Sequence, residues 1–354
     1  MRYLILLVIG CFATICHAKY GFYSFAESES YSEVAPIKQT INDLKGDAID
    51  RGSIAFTHNQ LEIGVTDCGW QLGIFKRYDY LMLFNNDAAQ IIYHKNNDIS
   101  PANGREFNFY LNANHIESNG INIGYSFSSR DFFKGSIKLN YILSRNMTLG
   151  NLHGMASSID DDLDADLWLD YNYSRDVLLE RPEENVKGKG YSLDLSIKLQ
   201  PIKDLIIAFG GYDVVSKIQW KDITYTKATA TTNIIEVDED GFPSFIPVIS
   251  GVEKERDVTQ KLPKRYFLFL NYTINESHSL IAEAKRYHNM IFPYLGYRLK
   301  AAESSYSLGY GFKSRAPSIK YNGKNFGIGI AMDYINPEKA KYLNLLLSYR
   351  VAGF

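Results

Sequence analysis

From Tyr191 to Gln200 the chain reads Tyr-Ser-Leu-Asp-Leu-Ser-Ile-Lys-Leu-Gln. Tyr191, Leu193, Leu195, Ile197 and Leu199 share one parity, while Ser192, Asp194, Ser196, Lys198 and Gln200 share the other. Side chains on a strand leave alternately from its two faces, so this run is a strand with an apolar solvent on one side and a polar one on the other. The pattern recurs on both sides of it. Phe107, Phe109, Leu111 and Ala113 alternate with Asn108, Tyr110, Asn112 and Asn114. Ile121 to Ser128, Ser136 to Ser144, Leu163 to Tyr173 and Leu343 to Val351 repeat it.

A soluble sandwich also alternates, with a polar outer face and a packed inner one. Three features favour a membrane barrel instead. The apolar face ends in Tyr and Phe near the strand ends, where rings sit at a membrane–water boundary. The other face carries Gly, Ser, Asn and isolated charges, as a wet lumen would. The strands run to about 10–13 residues, against the usual 5–6. With 26 Tyr, 20 Phe and 26 Gly in 354 residues the composition suits sheet. The expectation is an all-β fold: a transmembrane antiparallel up-and-down barrel of about 14 strands, 12–16 at the limits, with a short N-terminal helical segment. The candidate strands include 105–117 and 120–129 as neighbours, 132–144 and 147–156 as neighbours, and long stretches at 204–228 and 277–299.

Three domains follow. Arg2, the apolar run Leu4 to Ile15 and the small Ala18 have the layout of a secretory signal, residues 1–18. The run is too short to cross a bilayer, which takes about 20 residues. Cleavage after Ala18 would remove Cys11 and Cys16 and leave Cys68 as an inert lone thiol. Residues 19–50 do not alternate. Val34, Ile37, Ile41, Leu44 and Ala48 recur at helical spacing, so Glu33 to Asp50 reads as an amphipathic helix in a plug or a periplasmic lead-in. Residues 51–354 form the barrel. Its longest polar insertions, 176–187 and 229–263, read as external loops, and 201–204 and 275–277 as short periplasmic turns.

The signal, the near-continuous alternation and the aromatic last residue resemble a Gram-negative outer-membrane β-barrel protein. That resemblance implies the outer membrane of a Gram-negative bacterium as location, outer-membrane lipid and the barrel-assembly machinery as partners, and Tyr349, Val351 and Phe354 as the assembly signal. Phe354 departs in phase, because the apolar series ends at Val351. An N-terminal segment followed by fourteen strands is also loosely similar to the long-chain fatty-acid transporter family. The Asn-Pro-Ala of that family is missing near this N-terminus.

The charged residues of polar parity are the lumen-lining candidates: Lys138, Asp164, Asp166, Asp170, Asp194, Lys198, Glu283, Lys285 and Arg350. Mixed charges there build either a salt-bridged filling or a selectivity element. The acidic run from Asp160 fails as a calcium loop, since Ala165 and Tyr171 stand where Gly and Glu are needed. No Gly-rich phosphate loop, His-Glu-x-x-His or zinc Cys pair is present, so no cofactor, metal or catalytic residue is assigned. A net charge of −2 without basic runs excludes nucleic acid as partner. His115-Ile-Glu-Ser118-Asn-Gly120 resembles the His–Ser region of outer-membrane phospholipase A, with the residues three apart rather than two. On the residues alone it is a polar hairpin tip. The functional expectation is a channel or passive transporter for a small or amphipathic solute. A barrel anchoring surface loops for interaction or assembly is the second class, and a lipid hydrolase centred on His115 the third.

Overall fold

The structure, a computed structural model, describes residues 20–129, 132–159, 162–175, 186–237 and 243–352. The chain runs β1 (Gly21–Ser32), α1 (Ile37–Ile41), β2 (Ile54–Asp67), β3 (Trp70–Phe84), α2 (Asn86–Asn96), β4 (Glu106–Ser129) and β5 (Phe133–Ile159). It continues as β6 (Asp162–Tyr173), β7 (Gly188–Ile202), β8 (Leu205–Val237), β9 (Pro243–Gln260), β10 (Arg265–Thr273) and β11 (His278–Tyr287). The last strands are β12 (Met290–Ala301), β13 (Ser304–Gly311), β14 (Ala316–Asn322), β15 (Phe326–Met332) and β16 (Tyr342–Ala352).

All neighbours are antiparallel, and the sheet closes through β1–β16 and β8–β10 into a 14-strand barrel. Sixteen strands fill fourteen positions because two positions are shared end to end. β5 pairs with β6 over 148–159 and with β7 over 133–144. β8 likewise pairs with β9 above and β10 below. Pro263, which has no N–H to give a ladder, marks the second break.

Among the described residues one rim carries only short turns and both ends of the ring, where Gly21 pairs with Ala352. Its turn at Cys68-Gly69 has φ of 49° and 85°, and a Cβ on Gly69 would stand 2.5 Å from the Ser126 carbonyl oxygen. The other rim carries the segments 33–53 and 85–105 with their helices. Short turns are periplasmic and long connections external in such barrels. Around the outside runs an apolar belt of exposed residues, among them Leu72, Ile74, Ile121, Ile123, Leu139, Leu195, Leu268, Leu295, Leu308, Ile328 and Leu347. Such a surface is unfavourable in water, and lipid is its solvent. The protein is a transmembrane barrel of outer-membrane type.

Several expected boundaries are corrected. Residues 21–32, expected outside the barrel within 19–50, form β1; the helix there is only Ile37–Ile41, at the loop rim rather than in the lumen or the periplasm. Residues 105–117 and 120–129 are one strand, as are 132–144 and 147–156, and His115 to Gly120 lies mid-strand instead of at a hairpin tip. Most of 229–263, expected as a loop, is the upper β8–β9 ladder. Of the two long stretches left open between one strand and two, 204–228 lies within the single β8, and 277–299 is two strands. Cys68 is disulfide-bonded in the uncleaved chain, where the lone-thiol expectation fails; that expectation presumes cleavage after Ala18, which would remove Cys11 and Cys16. The signal segment 1–18, Asp160, Asp161, residues 176–185 and Phe354 lie outside the described residues.

Candidate functional site

Three clusters hold the interior and the upper wall. Toward β11–β16, Tyr31, Ile54, Phe56, Leu81, Tyr287, Phe292, Ala316 and Tyr342 pack inside the barrel. Toward β3–β8, Phe75, Ile116, Ile142, Met147, Ile218, Trp220 and Ile223 do the same, joined by Val186 and Leu262 from the two strand interruptions. Both sets follow the inward parity. Phe56 from β2 stacks on Tyr287 from β11 with centroids 3.9 Å apart, an aromatic contact made across the lumen.

Beneath this aromatic layer lies a buried charge girdle. Arg77 of β3 reaches across to β8 and donates from both terminal nitrogens to Asp213, at 2.9 and 2.7 Å. It also pairs with Asp79, whose Oδ1 is 2.8 Å from His58 Nδ1. Asp213 points inward because β8 bulges there: opposite Leu193–Leu195 the ladder slips, and Asp213 takes φ 55°. Its N–H donates to Asp194 Oδ1 at 2.9 Å. Lys138 bridges Glu62 at 3.3 Å and Asp194 at 3.5 Å, and Tyr23 donates to Glu62 at 2.8 Å. These charges are out of water, so each needs its partner.

The structure brings together Lys138 and Asp194 of the lumen candidates, and puts Glu283 and Lys285 opposite β1. Lys285 meets Glu29 at 3.3 Å and Glu27 at 3.8 Å, and Glu283 meets Lys320 at 3.5 Å. Around them is a cavity of about 320 Å³ that includes Tyr212, Arg265 and Phe269. Asp164, Asp166 and Asp170 sit apart, on the inner parity of β6 high on the wall. There Asp170 pairs with Arg256 at 3.5 Å and accepts from Tyr225 at 3.1 Å. Lys198 and Arg350 are exposed near the turn rim. Tyr349 and Val351 face outward on β16, with Tyr349 against Phe22 at 6.3 Å. Sequence reasoning missed Arg77, Asp79, His58 and Glu62, although all keep inward parity on β2 and β3. Asp213 was hidden because only the bulge turns it in.

The third cluster is outside. Phe84, Phe109 and Ala55 stand on the parity of the lipid belt, but above it, and are covered by Val34, Ala35, Leu44, Ala88 and Ala89 from the two loop-rim segments. The segments lock to each other: Gly46 N donates to Asn97 Oδ1 at 2.8 Å, and Asn97 Nδ2 donates to the Leu44 carbonyl at 3.1 Å. Asn85 caps α2, accepting from Ala88 N at 3.0 Å. Between α2 and the upper sheet remains a groove of about 560 Å³, lined by Ile91, Ile92, Phe109, Leu111, Leu152, Leu167, Leu169 and Tyr171, with Lys95 at its edge. On the opposite, inner face of the same wall, Tyr110, Met155 and Trp168 are exposed, and Trp168 stacks on His153.

The His–Ser pair is not assembled. His115 faces outward between Tyr78 and Tyr80, at 4.9 and 5.8 Å ring separation, whereas Ser118 is buried on the inward parity. A nucleophile and its base must come within about 2.6–3.2 Å.

No protein-family model matches the chain, and no curated protein matches it. Solved structures align with most of this chain at low identity. The Ralstonia pickettii toluene transporter TbuX aligns at 10% identity and TM-score 0.44, over 96% of this chain and 90% of that one. The P. putida toluene transporter TodX aligns at 11% and 0.44, over 97% and 91%. A Pseudomonas aeruginosa FadL homologue aligns at 10% and 0.38, over 95% and 89%.

Proposed function

We propose that this barrel passes a small apolar solute across the outer membrane. The observation that carries the reading is the groove between α2 and the outer face of β4–β6: about 560 Å³ and walled almost wholly by hydrocarbon. Such a volume lies in the range of small-molecule sites, and burial of apolar area is what would hold the solute there. Tyr110, Met155 and Trp168 offer a second apolar surface on the vestibule side of the wall. The Phe56–Tyr287 stack and the Arg77–Asp213 bridge cross the lumen below, so transit requires that layer to part. The barrel is therefore a gated passage rather than a standing pore, and its mature form starts after Ala18, which N-terminal sequencing checks.

The test is uptake of a small aromatic hydrocarbon into proteoliposomes. Filling the groove with Leu152→Trp and Leu167→Trp should lower uptake about tenfold, the effect of losing one to two kcal/mol of apolar contact. Uptake that matches wild type in this folded variant sinks the reading. The anchoring alternative has one observation behind it: among the described residues β9 pairs with β8 alone, which leaves its far edge as a ladder for another strand. Removal of 243–260 should then abolish a partner's binding and spare uptake.

A further inference from the structure

At the external border of the belt, on one side of the barrel, each strand switches from oil to cation. Arg145 follows Leu143 on β5, at the residue where the β4–β5 ladder bulges. Lys189 lies two residues above Tyr191 on β7, and Lys217 two above Val215 on β8. Just above β10, Lys264 stands two residues beyond Tyr266, and Arg286 of β11 lies opposite Tyr266 in the ladder. All five side chains are exposed. Neighbouring strands are about 4.8 Å apart, and the ladders set the cations on a diagonal arc: Lys189 lies opposite Leu143, two residues below Arg145, and Lys217 lies opposite Tyr191, two residues below Lys189.

Like charges in such a row repel unless an anion sits among them. Elsewhere on this rim the cations are answered by carboxylates: Lys76 by Glu117 at 3.0 Å and Lys313 by Glu33 at 2.7 Å. Arg145, Lys189, Lys217 and Lys264 have no carboxylate within ion-pair distance among the described residues. At the turn rim the signs are mixed, with Lys203 beside Asp204 and Lys324 paired to Glu303 at 3.3 Å. Among the described residues the uncompensated row stands at the upper border of the apolar belt, one alternation above Leu143, Tyr191 and Val215.

We propose that this arc is a docking surface for a phosphorylated lipid of the outer leaflet, with phosphate oxygens between the cations and acyl chains lying on Leu143, Tyr191, Val215 and Tyr266. Arg and Lys supply charge-assisted donors to phosphate, and the belt beneath supplies the apolar half of the site. A free phosphate would use the cations alone and gain nothing from the belt.

The experiment titrates the full-length barrel, purified in a nonionic detergent, with a bisphosphorylated glycolipid and reads bound lipid by native mass spectrometry. Arg145→Gln/Lys189→Gln/Lys217→Gln should bind it about tenfold more weakly than wild type, as loss of three interfacial cations implies. The dephosphorylated lipid should bind both proteins equally and weakly. Lys203→Gln/Lys324→Gln, at the other rim, should match wild type. Heat-modifiable gel migration reports whether each barrel is folded. If the triple variant fails that check, Lys217→Gln alone and wild type in high salt take its place, and each should show weakened binding. Equal binding by variant and wild type, equal binding of the two lipids, or displacement of the lipid by millimolar inorganic phosphate overturns the proposal.

Discussion

The two sides of the barrel obey different rules. From β11 to β16 the strands are 7 to 12 residues long, and their alternation answers a single demand, lipid outside and lumen inside. β4, β5 and β8 run 24, 27 and 33 residues, about twice the height of the belt. On that side the ladders slip at Glu117/Ser118, at Leu193/Leu195 and at Trp220/Ile223. Each slip reassigns which residues look outward, so one strand serves lipid below and α2, solvent or the vestibule above. The groove, the Arg77–Asp213 bridge and the cationic arc all fall on the tall side. Where the chain only spans the membrane it is regular, and where it is irregular it has gained a surface to use.

The contrast can be broken by measuring stability to urea in detergent. Asp213→Ala leaves Arg77 buried without its bidentate partner and should cost about 3–5 kcal/mol. Gln260→Leu comes next. Gln260 accepts from Trp220 Nε1 at 3.0 Å and donates to the His115 carbonyl at 2.9 Å, so its loss orphans buried groups at about 1–3 kcal/mol. On the short side, Lys320→Gln removes a half-exposed pair with Glu283 and should cost less than about 1 kcal/mol. Equal losses for Asp213→Ala and Lys320→Gln would erase the difference between the walls.

The smallest effect concerns the loop rim and pH. Lys313 and the Ser53 N–H and hydroxyl outweigh burial and hold the Glu33 carboxyl below its ordinary value. A lowered folded value means the contact is fully present above the unfolded value near 4.3 and is lost as pH falls through the folded one. Hydrogen exchange across 33–53 should rise below about pH 4, by an equivalent of under about 1 kcal/mol after allowance for solvent. Lys313→Gln should move that onset upward. An onset that ignores Lys313 breaks the assignment.

The period of two was readable, and with it the belt, the closed sheet and the inward placement of Lys138, Asp194, Glu283 and Lys285. The total of fourteen emerged from a different set of pieces. β1 escaped because its code is inverted: small Ser24, Ala26, Ser28 and Ser30 face outward, while Glu27 and Glu29 face in toward Lys285. β4 and β5 were divided where polar runs and a bulge interrupt the alternation, although backbone hydrogen bonds pass straight through. The turn at His288-Asn289 needs a positive φ at His288, which no Gly announces. The groove and the girdle are products of pairing between strands far apart in the chain, and no local window contains them.

β8 has one set of neighbours along its lower half and another along its upper half. β7 and β10 hold it within the ring, and β6 and β9 hold it above, with the changeovers at 174–187 and 261–264 lying on either flank. The upper leaf of β6, β8 and β9 thus rises on the continuous post of β8 and is laced along β6 to the upper part of β5. Any bending of that leaf at the mouth is borne by β8 and by the β5–β6 ladder, while the rungs of the membrane ring lie below it.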